Sequence, residues 1–162
     1  MPSDGTKIYD LNEARAKIRA FCLYRERSHS ETAQKLKSYG LIPEVIDTLL
    51  SELIQERYVD EERFARAYVR GKFKIKKWGR QKIKQGLYQH DLSDYILKKA
   101  FSEIDPDAYY NQVLRLCEKR WPLLKGKDDY QRKQKLRAYL YRQGYESDLI
   151  NEAFKDFDFT NN

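Results

Sequence analysis

ERYVDEERFARAYVRGKFKIKKWGRQKIKQGL, residues Glu56–Leu87, places an apolar helix pattern and the densest positive charge of the chain in the same residues. Tyr58 and Val59 lead into Asp60, Glu61 and Glu62, an acidic helix start. Asp60 can cap exposed N–H groups there, and all three carboxylates favour the positive end of the helix dipole. Phe64, Ala65, Tyr68 and Val69 follow at i, i+1, i+4 and i+5, which is one buried helical stripe. From Arg63 to His90 the chain has ten basic residues, Arg63, Arg66, Arg70, Lys72, Lys74, Lys76, Lys77, Arg80, Lys82 and Lys84, and no acid. The net charge of the whole chain is only +7, so everything outside this stretch is net acidic and the positive charge is local.

Outward from this stretch, the composition bounds the class. Only 4 Pro and 7 Gly in 162 residues, with 41% hydrophobic residues, describe a folded and mainly helical chain. A first helix is predicted from Leu11 to Arg27, with Ala14, Ile18, Phe21 and Cys22 on one face. A second starts after Arg27, capped by Ser28 or Ser30, and ends at Gly40 in the left-handed conformation. A third starts at Pro43 and carries Val45, Ile46, Leu49, Leu50 and Leu53.

The same pattern then recurs. KLKSYGLIPEVIDTLL (35–50), GLYQHDLSDYILKKAF (86–101) and YLYRQGYESDLINEAF (139–154) align on Gly40, Asp91 and Gly144. Leu36, Leu87 and Leu140 stand before these pivots; Val45, Ile96 and Leu149, then Leu49, Ala100 and Ala153, stand after them. Asp can take the Gly position because it visits the left-handed region more readily than most residues. Each unit also has an earlier helix, the third at Pro106–Arg120 with Tyr109, Tyr110, Val113, Leu114 and Cys117 on its apolar face. The expected fold is therefore all-α: three tandem three-helix-bundle repeats forming an elongated, curved array, since a bundle of about fifty residues buries too little surface alone. The expected divisions are a flexible N-terminus at 1–10, repeats at 11–58, 59–104 (basic and central) and 105–157, and a tail at 158–162. Trp121-Pro122 through Lys127 is read as a longer connection in the third repeat.

Catalytic chemistry finds little support. His29 and His90 read as turn residues, and Glu61-Glu62 and Asp128-Asp129 as acids at helix starts. Cys22 and Cys117 are isolated thiols among apolar neighbours, which suits core packing and neither a zinc site nor a disulfide framework. There is no phosphate-cradling glycine loop and no nucleophile motif. Most of the 13 tyrosines, Tyr68, Tyr95 and Tyr109 among them, are assigned to apolar stripes. The chain is expected to be a cytoplasmic, monomeric non-enzyme with no cofactor, no metal and no membrane partner.

RYVDEERFARAYV followed by WGRQKIKQGL resembles the central motif of the RecX family, in which an aromatic residue, an acidic helix start and a Phe-Ala pair precede a basic segment and a Gly-initiated helix. Ser28, Glu31, Leu36 and Gly40 are similar to the family's first-repeat motif, and Leu140 through Tyr145 to its third-repeat ending. The resemblance runs from about Leu11 to Phe157. Asp91 departs from a more familiar Gly, and Trp78 stands where the family often has Tyr. The resemblance implies a non-catalytic regulator of the RecA recombinase in DNA repair, recombination and the SOS response. Such proteins lie in the groove of the RecA–single-stranded DNA filament and bridge its subunits. They suppress ATP hydrolysis, strand exchange and co-protease activity, and they also bind DNA.

The charge pattern is compatible with that role. A curved array with a positive middle repeat suits a long, anionic, helically repeating partner. Phe73, Ile75 and Trp78 interleave with Lys72, Lys74, Lys76 and Lys77, offering cations for phosphates or carboxylates and an aromatic for stacking. The alternative use is ordinary: Phe73 and Ile75 complete the helix core while the lysines line a solvated face. The absence of any acid over the stretch favours contact. A second, weaker patch is Arg132, Lys133, Lys135, Arg137 and Arg142. These five, the ten earlier basic residues and Trp78 are the candidate RecA- or DNA-binding residues. A competing reading is a helix-turn-helix-like protein acting on duplex DNA, with Arg80–Tyr88 as recognition helix and Gln81 and Gln85 facing bases. A protein-only scaffold is a third, which predicts no DNA binding even at low salt.

Overall fold

The computed structural model describes residues 8–160; residues 1–7 of the expected N-terminal segment and 161–162 of the expected tail lie outside the described residues. Among the described residues there are nine α-helices and no strand. They are α1 (Leu11–Tyr24), α2 (His29–Ser38), α3 (Pro43–Gln55), α4 (Glu61–Lys74), α5 (Arg80–Tyr88), α6 (Asp94–Phe101), α7 (Pro106–Arg120), α8 (Asp129–Arg142) and α9 (Ser147–Asp156), with a 3₁₀ turn at Trp121–Leu123. The helices form three successive groups of three, and the all-α expectation holds.

Helix starts follow the sequence rules. Side-chain oxygens of Asp10, Asp60, Asp105 and Asp128 each accept the backbone N–H three residues on. Of the two serines considered for α2, Ser28 is the cap, in a reciprocal box with Glu31. The three pivots share one backbone state, with φ of +79° at Gly40, +51° at Asp91 and +101° at Gly144. Leu36, Leu87, Leu140, Leu49, Ala100 and Ala153 are all buried at 1% exposure or less. The repeat read from the sequence is thus a repeat of turn geometry and core position.

Four expectations change. The first helix stops at Tyr24, short of Arg27, because Arg25 is extended and the Arg27 side chain folds back: its Nε donates to the Phe21 carbonyl at 3.0 Å and its guanidinium covers the Phe21 ring. His29 is no turn residue; it opens α2, with Nδ1 3.3 Å from the Glu61 carboxylate. Tyr95 is 66% exposed, since the eight-residue α6 buries Ala100 and leaves Tyr95 outside with Lys99 over its ring. Trp121, read as part of a connection, is fully buried, and its Nε1 donates to the Phe159 carbonyl at 3.1 Å.

Two compact units result: the chain up to Ala67 with His90–Ala100, and Tyr68–Gln89 with the chain from Phe101 on. The middle helical group contributes to both. In the first unit Ala14, Ile18, Cys22, Leu36, Tyr39, Leu49, Leu53 and Val59 form the core, each large apolar side chain contributing about 1.5–3 kcal/mol by burial. In the second, Val69, Phe73, Ile83, Leu87, Val113, Leu116, Cys117, Leu136, Leu140 and Ile150 are buried around Tyr109, Trp121 and Tyr145.

His90 sits in the first unit, 7% exposed, against the Phe64 ring at 4.7 Å. The Ser28 hydroxyl accepts from the Glu31 N–H and so has its own proton for His90 Nδ1, 2.7 Å away. Burial holds the imidazole below its ordinary value of 6.5; the facing Glu31 and Glu61 carboxylates raise it and Arg25 lowers it, without reversing the burial effect. A folded-state value below the unfolded one means the unfolded chain takes up the proton first. The stability this neutral histidine contributes is complete above 6.5 and is lost as pH falls below it toward the folded value. Burial also opposes ionisation of Glu31, but its hydrogen bond and attraction to Arg25 prevail and keep it below 4.5, outside this window. The thermal midpoint should therefore drop as pH falls below about 6.5, and His90→Gln should flatten that slope. An unchanged slope in the variant would contradict this assignment.

Candidate docking surface for an anionic partner

The second unit holds most of the candidate cations, and the structure sorts them by what already holds them. Arg63 and Arg66 belong to the first unit. Arg63 Nε meets the Glu26 carboxylate at 2.7 Å while the same guanidinium donates to the Arg57 carbonyl at 3.0 Å. Arg66 pairs with Glu62 at 3.3 Å. In the second unit Arg70 pairs with Glu103 at 3.2 Å. Arg80 lies 3.6 Å from Glu146 and stacks on Tyr109, its guanidinium carbon 3.9 Å from the ring centre. These four arginines are tied into the fold, by acids that for the most part come from distant parts of the chain.

The lysines differ. No carboxylate among the described residues lies within ion-pair distance of Lys72, Lys74, Lys76, Lys77, Lys82 or Lys84. Lys74, Lys76, Lys77 and Lys84 are exposed, as is Ile75 at 78%, so Ile75 does not complete the helix core while Phe73 does. Trp78 is half-buried with the ammonium groups of Lys72 and Lys82 at 4.7 and 4.6 Å from its ring. Lysine and aromatic thus alternate at the α4–α5 junction as the sequence reading expected, but the arginines beside them have structural partners.

The junction is a fixed turn. Lys77 is in the left-handed region, φ +60°, and its carbonyl accepts from the Tyr145 hydroxyl at 2.7 Å. Gly79 N–H donates to the Gln143 carbonyl at 2.7 Å and Gln81 N–H to the Gly144 carbonyl at 3.0 Å. Arg80 N–H donates to the Tyr109 hydroxyl at 3.0 Å, which itself donates to the Glu146 carboxylate at 3.0 Å. Burial of the Tyr109 phenol, and the Glu146 charge after it, push its pKa well above the ordinary tyrosine range. Tyr109 therefore stays a donor to Glu146 at any working pH. A Cβ on Gly79 would fall 2.4 Å from the Gly144 carbonyl carbon, so the two backbones touch where only glycine fits.

The second patch is mostly scaffolding. Arg132 donates to the carbonyls of Leu124 and Trp121 at 3.0 and 2.9 Å and stacks on the Trp121 ring. Lys133 covers Phe159, Lys135 Nζ donates to the Lys125 carbonyl at 2.6 Å, and Arg137 bonds Asn151 and covers Phe154. Arg142 is exposed, one residue before the Gln143 carbonyl that receives Gly79.

Tyr145, Gln112 and Glu146 hold the turn, and sequence reasoning passed them over. The signal was there in the repeat: the residue after each pivot is Leu41, Leu92 and then Tyr145, an aromatic with a polar tip in place of leucine. Gln112, 3% exposed on the apolar face of α7, is a second such irregularity. No helix among the described residues is long and apolar enough to cross a membrane.

Residues 60–100 match the second three-helix domain of RecX and residues 107–154 the third. The chain is 33% identical over 153 residues to the regulatory protein RecX of Chlorobium phaeobacteroides (strain BS1), covering 93% of each. It is also 33% identical over 132 residues to the regulatory protein RecX of Prosthecochloris aestuarii (strain DSM 271 / SK 413), covering 82% of this chain and 85% of that one. The crystal structure of RecX from Lactobacillus salivarius has the same fold, with a TM-score of 0.82 over 92% of this chain and 97% of that one at 20% identity. A second crystal structure, of a regulatory protein RecX, gives 0.80 over 90% and 71% at 21% identity.

Proposed function

The chain belongs to the RecX family, and on that premise we propose that it regulates the RecA recombinase by docking on the RecA–single-stranded DNA filament. It settles in the filament groove as a monomer in the cytoplasm, does no catalysis itself, and restrains RecA ATP hydrolysis, strand exchange and co-protease activity. The observation that supports this reading is the α4–α5 junction. Six lysines without carboxylate partners among the described residues flank a half-buried tryptophan at a turn whose backbone is fixed. An ordered backbone beneath these cations spares the cost of ordering it when an anionic surface arrives, and their field speeds encounter.

Titrating the protein into a RecA ATPase assay on single-stranded DNA tests the proposal directly. Hydrolysis should fall to a plateau, and the concentration for half-inhibition should rise steeply with salt because counterions compete for the same groups. ATPase activity unchanged at several-fold excess over RecA would refute it.

One observation favours a second reading. α5 spans Arg80–Tyr88 and leaves Gln81, Lys84, Gln85 and Tyr88 exposed, a helix face that could enter a major groove. Against it, Arg80 at the leading end is engaged by Glu146 and Tyr109. A salt titration on random and selected duplexes decides: equal affinity for all sequences sinks the duplex-reading alternative.

A further inference from the structure

We infer that Tyr145, with Gln112 behind it, is a positioning residue for the docking lysines, so that the third helical group serves docking by holding the turn that displays them. This inference rests on the reading of the α4–α5 junction as the docking surface. Tyr145 is 1% exposed, yet its hydroxyl points at a backbone carbonyl in a run of exposed residues, Lys74 to Lys77. The carbonyl is that of Lys77, the central residue of the turn and a non-glycine residue in the left-handed region. Such a conformation is costly for lysine and persists only where the surroundings dictate it.

Gln112 supplies part of those surroundings. Its Nε2 donates to the Tyr145 hydroxyl at 2.6 Å, so the phenolic proton is left to the Lys77 carbonyl at 2.7 Å. Both side chains are buried, and burial pushes the phenol pKa of Tyr145 far upward, which keeps that proton in place. One buried chain of two hydrogen bonds therefore runs from α7 to the backbone between Lys76 and Trp78. The three backbone N–H bonds at Gly79, Arg80 and Gln81 fix the far side of the turn; at its middle the Trp78 N–H donates to the Lys72 carbonyl at 3.0 Å, and the Tyr145 hydroxyl holds the carbonyl side of that same peptide. The side chains of Lys74, Lys76 and Lys77 remain exposed. The device constrains the backbone and leaves the ammonium groups available, the division of labour that a preorganised contact surface requires.

The test is Tyr145→Phe in the full chain, read by amide hydrogen exchange and by half-inhibition of RecA ATPase on single-stranded DNA. Expected results are an unchanged helical circular dichroism spectrum, exchange about tenfold faster at residues 76–79, and inhibition about three- to tenfold weaker. Cys117→Ser, a core change in α7 on none of these hydrogen bonds, is the control for simple destabilisation. At a comparable loss in thermal midpoint it should leave both readouts at the parent values. Should Tyr145→Phe fail to fold, Gln112→Met removes only the donor behind the phenol and carries the same measurements. Unchanged exchange at the turn overturns the inference. So does faster exchange with undiminished inhibition, or a Cys117→Ser chain that matches Tyr145→Phe in both readouts. The lysine-to-glutamate reversals discussed below separate the two levels: if they abolish inhibition while Tyr145→Phe leaves it intact, the docking surface stands and the positioning role falls. If they leave inhibition intact, the docking surface itself is wrong.

Discussion

A chain with Lys74, Lys76 and Lys77 reversed to glutamate should lose its inhibition of RecA ATPase on single-stranded DNA while keeping its helical content and thermal midpoint. The second half follows from exposure. All three side chains face solvent and none has a carboxylate partner among the described residues, so reversal removes no native contact. The backbone at Lys77 is held by the Tyr145 hydroxyl and not by its own side chain, so glutamate inherits the same turn. The first half follows from electrostatics. Each reversal replaces an attraction to a phosphate or carboxylate by a repulsion, and three of the six lysines with no carboxylate partner among the described residues change sign together. The concentration for half-inhibition should rise by on the order of a hundredfold or more, and any residual inhibition should depend on salt with a slope lower by about three. Undiminished inhibition by the triple variant would remove the junction from consideration as the docking surface.

The largest effect on stability is expected from Gly144→Ala. Gly144 has φ +101°, a region closed to residues with a Cβ. The added carbon would lie 2.5 Å from the Lys82 backbone nitrogen and 2.9 Å from the Gly79 carbonyl oxygen, both of them backbone atoms that cannot swing aside. Backbone strain of about 1–2 kcal/mol and overpacking of about 1–3 kcal/mol add, since one displacement does not relieve the other. A thermal midpoint lower by roughly 10 °C follows for a chain of this size. The same substitution at Gly40, φ +79°, meets only the Ile8 side chain and backbone at 3.1 Å and beyond, so its cost should be smaller. Equal losses at the two sites would mean that φ, and not the close approach of two backbones, governs Gly144.

The two substitutions show where the sequence was legible. Asp91 could be aligned with Gly40 and Gly144 from spacing alone, because a helix ending in a left-handed residue leaves a local trace: a leucine before the pivot and an apolar pair after it. α7 was placed at Pro106–Arg120 from its helix-period apolar stripe, and the structure adds the Asp105 cap and the first-turn proline that start it. Tyr95 shows the limit. Its spacing suits an apolar stripe, but α6 is short and Tyr95, with Lys99 of its own helix over its ring, stays 66% exposed.

The candidate site divides in the same way. That positive charge gathers between Arg63 and Lys84 could be read from the residues, since the count needs no coordinates. Which of those charges remain available could not. Glu26, Glu103 and Glu146 lie outside the stretch and engage Arg63, Arg70 and Arg80 only after folding. Local order, meaning periods, caps and pivots, is encoded by neighbours a turn apart, so the sequence by itself determined the helices, the repeat and the identity of most core residues. Ion pairing and the seating of Tyr145 on the Lys77 carbonyl depend on distance through space, which falls outside any local pattern. Tertiary structure alone therefore decided that, between Arg63 and Lys84, the arginines have carboxylate partners and the lysines have none among the described residues.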